Sequence, residues 1–362
     1  MQYKIGITLI PDVGDITGKK LIAYCGGVEA VFKEKKQNLL KIPGIGEHLV
    51  NSILKQDVLK RAEQEIAFIK KYNITPFFYL DKQYPERLKH CIDSPMMLYF
   101  KGNADLNATK IISVVGTRKP TEYGIKTCNK LIKDLTSQNV LIVSGLAYGI
   151  DSCSHKAALK NNLKTIGVLA HGLDIIYPSL NKSLAEKMVE NGGLITEFIS
   201  KTKMDPAFFP RRNRIIAGLA DAVIVIESGI KGGSLITANI ANSYSRDVFA
   251  VPGKNDDKYS VGCNHLIKIN KAALFQSAED VIYIMGWEKN KEKNAPTQRE
   301  LFVKLKPNEE ILVKLLKENG DSDIDYLCLN ANLTMSKVAA ALLSLEFSGI
   351  IKGLPGKMYS LQ

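Results

Sequence analysis

Arg211, Arg212 and Arg214 stand within four residues of one another in FFPRRNRIIAG, residues 208–218, after two phenylalanines and a proline and before an apolar run. The pattern predicts a helix that opens on this stretch. A helix N-terminus is the positive end of the macrodipole and favours anions over cations. Two readings follow: a solvated basic turn, or cations aimed at phosphate, which the same helix start attracts. Neighbours on a helix diverge by about 100°, so the three arginines cannot share one target. At least one is expected to brace an acid inside the fold, Glu227 or another. Arg211 and Arg212 are assigned to phosphate and Arg214 to the brace. For Phe208 and Phe209 the readings are core packing, assigned to one of them, and a face for stacking an unpaired base.

Four further clusters carry related chemistry. VVGTRKPTEYG (114–124) places Gly116, Thr117, Arg118, Lys119 and Thr121 between an apolar run and a helical one. That is a glycine, two hydroxyls and two cations, yet neither a P-loop nor a G-x-G-x-x-G fingerprint. SGLAYGIDSCSHKAAL (144–159) offers Ser144 and Gly145, then Asp151 and His155 four residues apart. With no third ligand or nucleophile at a matching spacing, that pair is read as a structural brace of the loop. VIVIESGIKGGSLITANIA (223–241) brings Lys231, Gly233, Ser234 and Thr237 to another helix start, and Lys182 follows HGLDIIYPSLN (171–181). Backbone amides, hydroxyls and cations in one turn make an anion site. Their recurrence at four turns favours function over chance.

The elements that must position these residues are apolar runs rich in β-branched side chains: IISVV (111–115), VLIVS (140–144), TIGVLA (165–170), GLITEF (193–198), AVIVIES (222–228) and DVFAVPG (247–253). Amphipathic stretches alternate with them, as in an α/β, doubly wound parallel sheet. Ligands of such sheets bind beyond the carboxyl ends of the strands, where all four clusters fall. Residues 71–288 are expected to form this domain. Residues 1–70 read as short helices around LLKIPGIGEHLVNSIL, whose Gly44 and Gly46 allow a helix-hairpin-helix turn and a minor DNA contact, or an ordinary capped hairpin. Residues 289–307 read as a linker, and 308–362 as three helices and a hairpin, a winged helix.

The formal net charge is +12. Residues 71–295 hold 30 Lys and Arg against 21 Asp and Glu, whereas 296–362 hold 8 of each. A polyanion is drawn to the middle of the chain. Six scattered cysteines without a C-x-x-C pair argue against a disulfide framework or a zinc site, so no metal or cofactor is expected. No apolar run reaches membrane-spanning length and no signal peptide is evident. Cytoplasm and no membrane partner are the expectation.

GTRKPTEYG, SGLAYGIDSCSHKAAL, GLDIIYPSLN, FFPRRNRIIAGLAD, GGSLITANIA and VPGKNDDKYSVGCNHLI, in this order, resemble the successive signatures of the DprA/Smf family of DNA-processing proteins. The resemblance implies an extended Rossmann-like domain between an N-terminal helical (SAM-like) domain and a C-terminal winged helix. It implies single-stranded DNA binding without sequence preference, a homodimer, loading of RecA recombinase in natural transformation or recombination, and no catalytic activity. The DNA-binding positions it carries over are the GTRKPT loop, Lys182, the arginines of FFPRRNR and the GGSLIT turn. Ser154 stands where the family usually has Ala, Gly232-Gly233-Ser234 where it has Ser-Gly-Ser, and Asn270-Lys271-Ala272 where a Gly-Ala commonly follows NHLI. The alternative is a phosphoribohydrolase of the same fold class, but its catalytic carboxylate is missing from the helix after Gly233. Because the tail carries no net charge, deletion of residues 296–362 is expected to leave affinity for an oligonucleotide within about twofold, measured by fluorescence anisotropy.

Overall fold

The computed structural model describes residues 1–288, 305–354 and 358–361. Of the linker expected over 289–307, all but the last three residues lie outside the described residues. The chain divides into two compact units, Met1–Glu288 and Lys289–Gln362.

The first unit is built on one sheet: β1 (Thr75–Phe78), β2 (Met97–Gly102), β3 (Ile111–Val115), β4 (Leu141–Ser144), β5 (Thr165–Val168), β6 (Gly192–Thr196), β7 (Ala222–Val225), β8 (Asp247–Ala250) and β9 (Ala273–Leu274). The spatial order is β1-β2-β6-β5-β4-β3-β7-β8-β9. Every run named above from sequence overlaps one of these strands. From β6 through β9 all neighbours are parallel, with Ile111 opposite Leu141 and Ile112 opposite Ala222. The sheet is not wholly parallel, however: β2 runs antiparallel to both β1 and β6. The sequence reading missed these two strands because TPFF and MLYFKG show no polar alternation, MLYF being buried throughout.

Both faces of the sheet are covered. Ile111, Val115, Val223 and Val225 face one apolar core, and Ile112, Val114, Ala222 and Ile224 the other. Successive side chains of a strand point to opposite faces, so a strand buried on both is apolar, as AVIV is, or satisfies its polar group internally, as IISVV does where the buried Ser113 hydroxyl donates to Ile216 O at 2.7 Å. From β3 the chain winds outward to β6 and then returns to β7 on the other side of β3. The carboxyl ends of β3 and β7 therefore diverge into loops on opposite sides, opening a crevice at this switch point.

The N-terminal helices run from Gln2–Ile7 to Leu59–Lys71. Their apolar side chains share a core with Phe78, Met96, Met97 and Tyr99. Leu59–Lys71 buries Ala62, Glu65 and Ile69 on one stripe. Glu65 is tolerated there because it accepts hydrogen bonds from the Ser200 amide (3.0 Å) and hydroxyl (2.6 Å) and from Arg61 (2.9 Å). The second unit holds helices Pro307–Asn319, Ile324–Ala331 and Met335–Phe347 around an apolar core, with β10 (Ser322–Asp323), β11 (Ile351–Leu354) and β12 (Met358–Leu361) in the order β10-β12-β11. No single helix among the described residues is long and apolar enough to cross a membrane.

His155 and Asp151 do not pair with each other. The fully buried imidazole spans Gly145 O (2.6 Å from Nε2) and Thr165 Oγ1 (2.7 Å from Nδ1), tying the loop after β4 to β5. The carbonyl can only accept, which places a proton on Nε2. Burial, with Arg212 adding to it, pulls the pKa from 6.5 down to about 4 against the bond to Gly145. The native state thus rejects a second proton that the unfolded chain takes up below pH 6.5. The stabilisation is present above 6.5 and is lost as pH falls toward 4, about 3 kcal/mol from this group. Urea unfolding across that range is expected to show a shallower acid loss for His155→Gln than for the wild type.

Candidate nucleic-acid interface

At the switch point lies a cavity of about 590 Å³. The loop after β3 contributes Gly116, Thr117 and Arg118, and the loop after β4 contributes Ala147 and Asp151. The segment after β7 supplies Ser228, Gly229, Gly232, Gly233, Ser234 and Thr237, and the helix Phe208–Leu219 supplies Phe209, Arg212 and Asn213. A slot of about 70 Å³ continues under Arg118 and Arg212 toward Tyr148, His171 and Tyr177.

The loop after β3 is shaped by Glu227. Its backbone carbonyl accepts from the Thr117 amide (2.8 Å), and its carboxylate accepts from the Thr121 amide (2.9 Å) and hydroxyl. Thr121 in turn caps the helix Glu122–Asp134 by accepting from the Gly124 amide. Thr121 is therefore a brace of the loop and not an open hydroxyl, and Glu227 meets this threonine where an arginine was one expectation. Arg118 is left exposed on the cavity rim.

Across the cavity, the helix Gly233–Ser243 starts at Gly232 with no side-chain cap. A Cβ at Gly233 would meet nothing within 4 Å, so ligand backbone can approach this helix start closely. Ser234 and Thr237 line the wall, with the Ser234 hydroxyl bonded to Ser228 Oγ at 2.8 Å.

The arginines of the helix Phe208–Leu219 diverge. Arg214 is buried and pairs with Glu197 (2.6 Å) and Asp15 (3.0 Å), the brace expected of it with different acids. Arg211 turns to the same side: it is 47% exposed and pairs with Glu197 (2.6 Å) and Asp15 (3.4 Å), away from the cavity. It does not line the cavity, so the phosphate contact expected of it is not part of this site. Arg212 alone enters the cavity. It is only 6% exposed, Nη1 donates to Val168 O, and Nε has no partner. Burial lowers its pKa and Asp151 opposes that; burial likewise raises the Asp151 pKa, with Arg212 opposing.

Gly145 makes this arrangement possible. A Cβ there would overlap both the Arg212 guanidinium and the Asp151 carboxylate, so its role is to vacate space, not to touch a ligand. Ser144 is fully buried, its hydroxyl donating to Val114 O at 2.6 Å, and is also removed from the contact surface. Phe208 packs on Phe198 with centroids 4.4 Å apart, whereas Phe209 lines the cavity edge-on to Tyr177 at 5.9 Å. Lys119, Lys182 and Lys231 are exposed but do not line the cavity. Gly44, at φ +77°, and Gly46, which precedes the helix Glu47–Leu54, sit in the N-terminal hairpin and line no part of it. Asp151, Tyr177, Asn213 and Ser228 are cavity residues that the sequence reading did not nominate for ligand contact. Tyr177 and Ser228 follow strand ends, which was the available signal.

The family model for DNA recombination-mediator protein A matches residues 75–286. The chain belongs to this family. It is 37% identical over 272 residues to the DNA processing protein DprA of Streptococcus pneumoniae, covering 70% of this chain and 96% of that protein. With the Bacillus subtilis DprA it shares 45% over 201 residues, 55% of this chain and 67% of that one. The X-ray structure of the Streptococcus pneumoniae protein matches with a TM-score of 0.65 at 33% identity, over 78% of this chain and 97% of that chain. DNA processing protein A of Helicobacter pylori, described for its single-stranded DNA binding mode, matches with a TM-score of 0.54 at 26% identity, over 60% and 97%. All residues named here as lining the cavity lie inside the segment that matches the recombination-mediator family.

Two glycine variants separate the roles assigned above. Gly145→Ala is expected to lose about 1–3 kcal/mol of stability through overpacking against Arg212 and Asp151. Gly233→Ala is expected to stay within about 0.5 kcal/mol of wild type. Urea denaturation measures both.

Proposed function

We propose that residues 71–288 bind single-stranded DNA without sequence preference, and that the protein loads RecA recombinase onto that strand in natural transformation or homologous recombination. The observation that carries the reading is the cavity itself: an uncapped helix start at Gly233 faces it, with Arg118 on the rim and Arg212 on the floor. A helix N-terminus and guanidinium groups complement phosphate, while Phe209 and Tyr177 offer aromatic faces for an unpaired base. None of these contacts reads a base edge. The recombination-mediator family and the Helicobacter pylori relative support the same reading.

In this reading residues 1–70 form a helical domain whose Gly44–Gly46 turn adds a minor DNA contact, 289–307 are a linker, and 308–362 form a winged helix. The balanced charge of 296–362 favours protein contact over duplex binding for that tail. The protein acts as a homodimer; Ile269 and Leu274, exposed at the sheet edge formed by β9, suit an apolar contact between copies.

Asp151 is the one feature that favours the phosphoribohydrolase reading, since it puts a carboxylate in the cavity. It faces Arg212 and accepts from the Ala147 amide, and the helix Gly233–Ser243 contains no acid. Incubation with nucleoside 5′-monophosphates is expected to release no free base; release would establish the hydrolase reading.

Affinity for labelled oligothymidines is expected to rise with length from a mononucleotide upward, because the exposed lysines flanking the cavity reach more than one phosphate. Arg118→Ala is expected to weaken binding at every sequence and to reduce the salt slope by about 0.7 for each phosphate it leaves without a cation. Length-independent affinity or an unchanged slope argues against the proposal.

A further inference from the structure

The Arg212 guanidinium faces Asp151 but makes few hydrogen bonds for a buried cation. Val168 O takes Nη1, Nε has no hydrogen-bond partner, and the overlap that a Cβ at Gly145 would suffer shows how little room surrounds it. Its position is therefore set by the rotation of the helix that carries it. On an ideal helix Arg211 and Arg214 lie about 60° apart, and Arg212 points about 160° from Arg214. Any force that fixes the Arg211–Arg214 flank consequently fixes where Arg212 enters the cavity.

That flank is held by Asp15, the first residue of the helix Asp15–Cys25 in the N-terminal layer. Asp15 Oδ2 accepts from Arg214 (3.0 Å) and Arg211 (3.4 Å), while Oδ1 accepts from the Met96 amide at 2.8 Å, just before β2. One carboxylate thus joins the N-terminal helices, the sheet beside β2 and the cavity helix. Glu197 bonds the same two arginines through Oε2, and its Oε1 is buried without a partner. Arg214 also donates to Asp93 O, and Lys19 lies near Asp15 and Arg214, so removing the Asp15 charge leaves the buried Arg214 with Glu197 and the Asp93 carbonyl, a positive excess that helix rotation can relieve.

We infer that Asp15 is a positioning residue for the nucleic-acid site: without touching the ligand, it sets the depth and direction of Arg212 through Arg211 and Arg214. The inference rests on the cavity being where the strand binds. Asp15 lies outside the segment matched by the family model, so the N-terminal layer acts on the site through a residue which that segment lacks.

The test is a double-mutant cycle on the full chain with a labelled oligothymidine, read by anisotropy across a salt series. Asp15→Asn is expected to weaken binding about tenfold with an unchanged salt slope, since every bound phosphate keeps its cation. In an Arg212→Ala background the same change is expected to cost less than about twofold, and in an Arg118→Ala background the full factor again. Asp15→Glu is expected to restore part of the affinity. Equal losses in all backgrounds, or no loss in the single variant, would overturn the inference. If Asp15→Asn does not fold, Arg214→Lys, which keeps the charge and loses the fork, enters the same cycle with the same expectations. If Arg212→Ala and Arg118→Ala both bind like wild type, the cavity reading itself falls. If they weaken binding while Asp15→Asn does not, only the positioning role falls.

Discussion

Three cations within four residues at the positive end of a helix, two of them buried, pack there only if negative charge reaches both flanks of the helix. Glu197 and Asp15 supply it to Arg211 and Arg214, and Asp151 with the Val168 carbonyl supplies it to Arg212. Much of the surrounding architecture serves that requirement. The sequence position of Gly145, the entry of an N-terminal helix beside β2, and the buried carboxylate after β6 all follow from placing those counter-charges. A buried pair that loses one partner costs about 3–5 kcal/mol, so the arginine helix and its acids stand or fall together.

The same constraint separates binding from bracing. Because Arg211 and Arg214 are paired on the other flank, the guanidinium groups toward the cavity are Arg212, which Asp151 faces, and Arg118 on the rim. Opposite them, the uncapped start of the helix Gly233–Ser243 adds backbone donors. Under the proposed function this cavity holds a phosphate beside an aromatic face without reading base identity. Its location follows from topology, since the chain reverses its winding direction at β3 and the loops after β3 and β7 part there.

Much of this was legible in the sequence. The apolar runs from IISVV to DVFAVPG mark the strands, because burial on both faces forces continuous apolarity. Of the glycine, hydroxyl and cation clusters at their ends, Gly116, Thr117, Arg118, Gly233, Ser234 and Thr237 line the cavity, whereas Lys119, Lys182 and Lys231 do not. What stayed hidden is the direction in which side chains point. Asp15 lies almost two hundred residues from Arg211, and no local pattern announces that it reaches the same flank. Thr121 and Ser144 read as open hydroxyls, yet Glu227 and the Val114 carbonyl claim them. The antiparallel β1 and β2 were invisible for a similar reason: strand direction is decided by tertiary partners and leaves no periodicity.

If the switch-point cavity holds the strand, phosphate lies between Arg118, Arg212 and the Gly233 helix start. A crystal structure with a short oligothymidine measures this directly. The account predicts a phosphate group within hydrogen-bond reach of the Gly233 or Ser234 amide and at least one of the two guanidinium groups. A strand ordered on the N-terminal hairpin or the C-terminal unit, with the cavity unoccupied, would contradict it.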